Sequence, residues 1–253
     1  MAPLRWRPLH EAGSDLAVGF LPLLVMSFVT LRLLELPPVY LVWAVALYAV
    51  QAILILRAFP AAPSAVLGEW GGLGPPSRVT LARSALVLPV AAVTLVPGVG
   101  GTTGAWLIIV FSTVALVMDG FDGWVARRTA CATPFGARFD MELDAFLLLA
   151  LSVLVWQSGR VDVWVLLIGG LRYLFVAAAW VLPALGGELP PSMRRKVVCV
   201  IQGIGLLVAL GPIIPVPMAV AVSGVALGSL LYSFGVDSVW LLRRGAGTAT
   251  PPA

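Results

Sequence analysis

Five of the twelve acidic residues in this chain, Asp119, Asp122, Asp140, Glu142 and Asp144, fall within 26 residues. Asp119 and Asp122 are three apart, and Asp140 and Asp144 are four apart. At those separations helical side chains share one face, with Cβ atoms roughly 5–6 Å apart. Two antiparallel helices joined by a short turn would therefore aim four carboxylates at one point. Glu142, two positions from both Asp140 and Asp144, falls off that face. Converging carboxylates repel one another, and some would be forced to protonate unless a cation sits among them. An all-oxygen donor set suits a hard ion, Mg²⁺ or Mn²⁺, with Ca²⁺ as a substitute or inhibitor. Four carboxylates are enough for two ions about 3.5–4 Å apart, the arrangement used for displacement at phosphorus. Gly120, Gly123, Ala126 and Gly136 flank the acids. Any one of them alone would suit helix packing. Beside the acids and Arg127, they read as room for a bulky ligand close to the backbone.

The elements that must carry these acids are membrane helices. The chain has 253 residues, of which 60% are hydrophobic and only 11% charged, against about 25% charged in soluble domains. Its mean hydropathy is +1.01, and its apolar runs are about 20 residues long, enough to span a bilayer as helix. The short alternating segments of a membrane β-barrel are missing. The expected fold is an all-α, polytopic helical bundle of about eight transmembrane helices, near 15–35, 38–57, 79–97, 104–128, 136–158, 161–183, 195–211 and 214–241. Turn chemistry marks the breaks, in ELPP at 35–38, VPGVGG at 96–101 and GPIIPVP at 211–217. The expected organisation is an N-terminal helix pair (1–57), a Pro/Gly-rich cytoplasmic linker (58–78), a six-helix core that carries the acids (79–241) and a flexible tail (242–253). No internal repeat is visible. The first apolar run has no small-residue cleavage site and reads as a retained helix.

Charge placement orients the bundle. With both termini cytoplasmic, the inner side holds Arg5, Arg7, Arg57, Arg78, Arg83, Arg127, Arg128, Arg138, Arg194, Arg195, Lys196, Arg243 and Arg244, and the outer side only Arg32 and Arg160. That positive-inside bias puts the acidic stretch at the cytoplasmic face, and the expected location is a plasma membrane of bacterial type. A carboxylate inside a span costs about 2.5–3.5 kcal/mol even on the mild insertion scale, so the acids need a reason to be there. Arg172, deep in an apolar run, needs a partner by the same logic. Cys131 and Cys199 form neither a CxxC pair nor a disulfide framework, and His10 is the sole histidine, which excludes a His-based zinc site. The GVGGTTG run at 98–104 fails the dinucleotide-binding spacing and follows no strand, so it reads as an outer turn. No nucleic-acid partner is expected.

The string Asp119-x-x-Asp122-Gly123-x-x-Ala126-Arg127-x8-Gly136-x3-Asp140-x3-Asp144 resembles the signature of the CDP-alcohol phosphotransferases (phosphatidyltransferases) at all eight fixed positions. A looser likeness covers helices three to eight, the six-helix core of that family, with helices one and two outside it. The resemblance implies that Asp119, Asp122 and Asp140 are ligands of two metal ions, and that Asp144 is the general base, close enough to share an ion. It implies that Gly123, Ala126, Arg127 and Gly136 cradle the CDP moiety. It further implies transfer of a phosphatidyl group from a CDP-linked lipid, usually CDP-diacylglycerol, to an alcohol, with release of CMP, often by a homodimer.

Weaker likenesses accompany the signature. Thr80 and Arg83, in PPSRVTLAR (75–83), resemble the family's Thr-x-x-Arg opening of its first core helix, which puts Thr80 with the CDP cradle. Arg83, Arg172, Arg195, Lys196 and Gln202 are candidates for the acceptor or lipid phosphate, while Arg194 reads first as a topology determinant. Ala145 stands where branches using phosphorylated acceptors often carry a basic residue, and the basic run 194–196 points the other way, so the acceptor stays open. Two rival readings are a cation- or proton-coupled transporter and a non-catalytic scaffold. Transporters usually hold such acids near the midplane on broken helices, and a scaffold has no need of converging acids.

Overall fold

The computed structural model describes residues 7–58, 72–96, 101–129, 133–182, 186–187, 190 and 192–247, with 7–11, 121–129 and 244–247 described for the backbone alone. Among the described residues there is no strand, and eight α-helices follow one another: α1 (Arg7–Leu33), α2 (Val39–Ala58), α3 (Pro75–Val93), α4 (Thr102–Thr129), α5 (Pro134–Gln157), α6 (Leu166–Val181), α7 (Met193–Leu210) and α8 (Val216–Gly247). A single 3₁₀ turn, Val163–Val165, leads into α6.

The all-helical expectation holds, while several ends move for local reasons. α3 starts at Pro75 rather than 79, because Pro75 and Pro76 follow Gly74 at φ 78° and occupy the first helical positions. Their fixed φ suits a helix start and their missing N–H is not needed there. It ends at Val93 rather than 97, where the N–H groups of Thr94, Leu95 and Val96 fall back onto carbonyls three residues earlier. α5 starts where the Thr133 hydroxyl accepts a hydrogen bond from Gly136 N at 2.9 Å, an N-cap with Pro134 in the first turn. α8 runs past its expected end at 241 to Gly247, with no Pro in residues 242–247 to stop it, so the expected tail is helical from 242 to 247. Residues 248–253 and most of the expected linker, 59–71, lie outside the described residues.

Five helices among the described residues are long and apolar enough to cross a bilayer: 12–33, 39–58, 102–120, 163–181 and 216–243. The other three carry charge into their apolar runs: Arg78 and Arg83 in α3, Arg138, Asp140, Glu142 and Asp144 in α5, and Arg194, Arg195 and Lys196 in α7.

The chain divides into two compact units, residues 1–147 and 148–253. At the centre of the first lies α3, packed against α1, α2 and α4. Leu81, Ala85 and Leu88 of α3 join Leu16 and Leu23 of α1, Tyr48 and Ile55 of α2, and Phe135, Phe139 and Phe146 of α5 in one apolar cluster. α1 comes so close to α3 that a Cβ on Gly19 would sit 2.8 Å from Leu81. Polar ties reinforce the packing. Tyr48 Oη donates to the Leu16 carbonyl, and Tyr40 Oη to the Pro89 carbonyl at 3.1 Å. Asp15 pairs with Arg78 at 3.0 Å and accepts from Leu73 N at 2.9 Å.

In the second unit α7 packs along α8. Arg160 donates to the carbonyls of Gly211 and Ile214, which secures the α7–α8 turn. Arg194 donates to the Ser233 carbonyl at 2.8 Å and to Asp237 at 2.5 Å, which ties the start of α7 to the end of α8.

Candidate active site

Three helices of the first unit converge on one cluster of charge. α4 brings Asp119 and α5 brings Asp140 and Asp144, one helical turn apart on the same face. One oxygen from each of these carboxylates lies within 4.8 Å of the others. α3 brings Arg83, whose Nη1 is 2.9 Å from Asp119 Oδ1 and whose Nη2 is 2.7 Å from Asp140 Oδ1 and 2.8 Å from Asp144 Oδ1. The guanidinium is 1% exposed, whereas the three carboxylates are 41%, 32% and 21% exposed. The cluster is thus sealed on the α3 side and reachable on the carboxylate side. With the acids ionised, three negative charges meet one positive charge, leaving a formal charge of about −2 in a partly buried space. A divalent cation matches that deficit.

The donor chemistry fits such an ion. All three side chains offer oxygen alone, as Mg²⁺ and Mn²⁺ prefer. Asp140 Oδ1 is buried with Arg83 Nη2 2.7 Å away, and as a carboxylate oxygen it has more than one lone pair to offer.

The other expected site residues divide by location. Asp122, Gly123, Ala126 and Arg127 lie in the helical backbone of α4, with their side chains outside the described set. Gly136 lies in the first turn of α5 against α3, where a Cβ would meet Ser77 Oγ at 2.9 Å and Thr133 Oγ1 at 3.1 Å. Thr80 is buried, with its hydroxyl donated to the Pro76 carbonyl at 3.2 Å. Gly120 beside Asp119 has open space where a side chain would be. Glu142 is exposed and stands apart from the triad.

Arg172, Arg195, Lys196 and Gln202 belong to the second unit. Arg172 is half-buried in α6 and Lys196 is exposed on α7. Arg195 donates to the Pro190 carbonyl and stands 3.8 Å from Asp237. Gln202 is 4% exposed.

Sequence reasoning missed three partners. The sequence pattern gives Asp15 and Asp237 no role, and it points Arg83 toward a phosphate with no link to the acids. A signal for Arg83 was present. It sits in the apolar run LARSALVLP, where a cation needs an acidic partner, and the densest group of acids in the chain is the cluster.

The family model of the CDP-alcohol phosphatidyltransferases matches residues 74–231, more than half of the chain. No curated protein and no solved structure matches it. The chain belongs to the CDP-alcohol phosphatidyltransferase family.

Proposed function

We propose, from that membership and the carboxylate geometry, that this integral membrane transferase of substituted phosphate groups moves the phosphatidyl group of a CDP-linked lipid to a hydroxyl acceptor and releases CMP. CDP-diacylglycerol is the donor that this reading favours. The observation that carries it is the convergence of Asp119, Asp140 and Asp144 from two helices, within 4.8 Å of one another, inside the stretch that the family model covers.

In this reading Asp119, Asp122, Asp140 and Asp144 hold two divalent ions, Mg²⁺ or Mn²⁺. Those ions, when bound, supply charge neutralisation for the diphosphate and for the leaving CMP. Asp144 takes the proton of the incoming hydroxyl. At 21% exposed it is the most enclosed of the three carboxylates and is still reachable from outside. Arg127 binds the diphosphate, and Gly123, Ala126, Gly136 and Thr80 serve the CDP moiety. Arg172, Arg195, Lys196 and Gln202 serve the acceptor or the lipid phosphate. The proposed topology has eight crossings, with both termini and the acids at the cytoplasmic face, where a lipid arrives sideways and a small alcohol from water. The catalytic core opens with α3, the N-terminal pair α1 and α2 packs on it from outside that core, and the working unit is a homodimer. The transporter reading gains no support from the site.

The test is release of CMP from CDP-diacylglycerol by the purified protein in detergent with Mg²⁺ or Mn²⁺. Serine, glycerol 3-phosphate, inositol, inositol phosphate and phosphatidylglycerol are offered in turn. One acceptor should stimulate release and appear in a phospholipid product. Absence of CMP with every acceptor and both metals would sink the reading.

A further inference from the structure

The metal-site reading, on which this inference rests, gives no account of why a guanidinium occupies the middle of the cluster. Arg83 reaches Oδ1 of Asp119, Asp140 and Asp144 at 2.7–2.9 Å from a side chain that is 1% exposed. Arginine does not lose its proton in proteins, so this positive charge is permanent. A divalent ion would draw on the same three carboxylates. We propose that Arg83 is the counter-cation of the site: it neutralises part of the acidic charge when no divalent ion is bound, and it competes with the ion for these oxygens.

The placement of the residue suits that role. Arg83 is rooted in α3, which α1, α2 and α4 enclose, whereas the carboxylates stand on α4 and α5. For an ion to take these oxygens, the Arg83 guanidinium has to give up its hold on them. Metal affinity is then a difference between the claims of two cations. A purely structural Arg83 makes the opposite prediction, since holding the carboxylates together would favour metal binding and its loss would weaken it.

The experiment is a calorimetric Mn²⁺ titration of the purified full chain in detergent, with thermal unfolding recorded with and without Mn²⁺. Arg83→Gln should bind Mn²⁺ about tenfold or more tightly than wild type, the size by which one adjacent charge shifts a proton equilibrium, about one to three units. Its unfolding temperature should fall without metal and rise more on Mn²⁺ addition than that of wild type. Arg83→Lys keeps the charge without the planar fork. It should bind Mn²⁺ with an affinity between the two, and it decides the matter if the Gln variant fails to fold. Unchanged or weaker Mn²⁺ binding in the variants overturns the competition. A wild-type protein that binds no Mn²⁺ overturns the metal-site reading itself, which separates the two failures.

Discussion

Replacing Asp144 by Asn should abolish turnover while leaving the metal-free fold almost as stable as before. The Arg83–Asp144 contact of 2.8 Å corresponds to a Coulomb attraction of about 6 kcal/mol at an effective dielectric of about 20. The Asp119 and Asp140 oxygens lie within 4.8 Å of that of Asp144, and each contributes a repulsion of about 3.5 kcal/mol or more on the same scale. Solvent screens the Asp119 share most, because that side chain is 41% exposed. Attraction and repulsion therefore nearly cancel, and the net change in stability should be within about 1–2 kcal/mol. In chelator, the unfolding midpoint should stay within about 5 °C of wild type. Turnover behaves differently, since losing a general base typically costs about 10²–10⁴-fold in rate. The assay pairs thermal unfolding in chelator with CMP release under saturating Mg²⁺. Near-normal turnover would remove Asp144 as the base. A collapse of the metal-free fold would refute the charge balance, because attraction to Arg83 would then outweigh repulsion between the acids.

Asp119→Ala and Asp140→Ala should each weaken Mn²⁺ binding by about tenfold or more, the effect of one adjacent charge, and unchanged titrations would remove them as ligands. Thr133→Ala deletes the cap of α5; it should lower stability by about 1 kcal/mol in thermal unfolding, and an unshifted midpoint would show that the cap does not matter. Gly19→Leu drives a side chain into Leu81, and the overpacking should cost about 1–3 kcal/mol, read as a lower unfolding midpoint. Arg172→Ala should raise the acceptor KM more than the donor KM, and equal changes in both would end that assignment.

The carboxylate cluster was legible because its spacing is local. A four-residue separation fixes the shared face of Asp140 and Asp144 whatever the rest of the chain does. The all-helical class was legible because long apolar runs interrupted by Pro and Gly leave few alternatives. What stayed hidden was long-range pairing. Arg83 and Asp144 are 61 residues apart, and Asp15 and Leu73 are 58 apart. No periodicity links such residues, and helix packing alone brings them together. The burial of α3 was hidden for a related reason. Its apolar residues are spread almost evenly round the axis, so its sequence does not distinguish a lipid-facing side from a protein-facing one. The number of crossings was the least legible feature, because charged α3, α5 and α7 are built as helices without the composition of free-standing spans.

The contact of α1 and α2 with α3 has a consequence for how this protein could be rebuilt. The strip formed by Leu81, Ala85 and Leu88 is one that acyl chains would cover about as well as Leu16 and Ile55 do, since helices in a bilayer gain little from hiding apolar surface from lipid. Hydrocarbon has no substitute for the carboxylate of Asp15 on Arg78 and the Leu73 amide, or for the Tyr40 hydroxyl on the Pro89 carbonyl. A version lacking the first two helices would thus still be greasy enough to insert. It would lose the polar pins at both ends of the helix that carries Arg83, and the register of that guanidinium against the acids would be set by lipid instead of by protein.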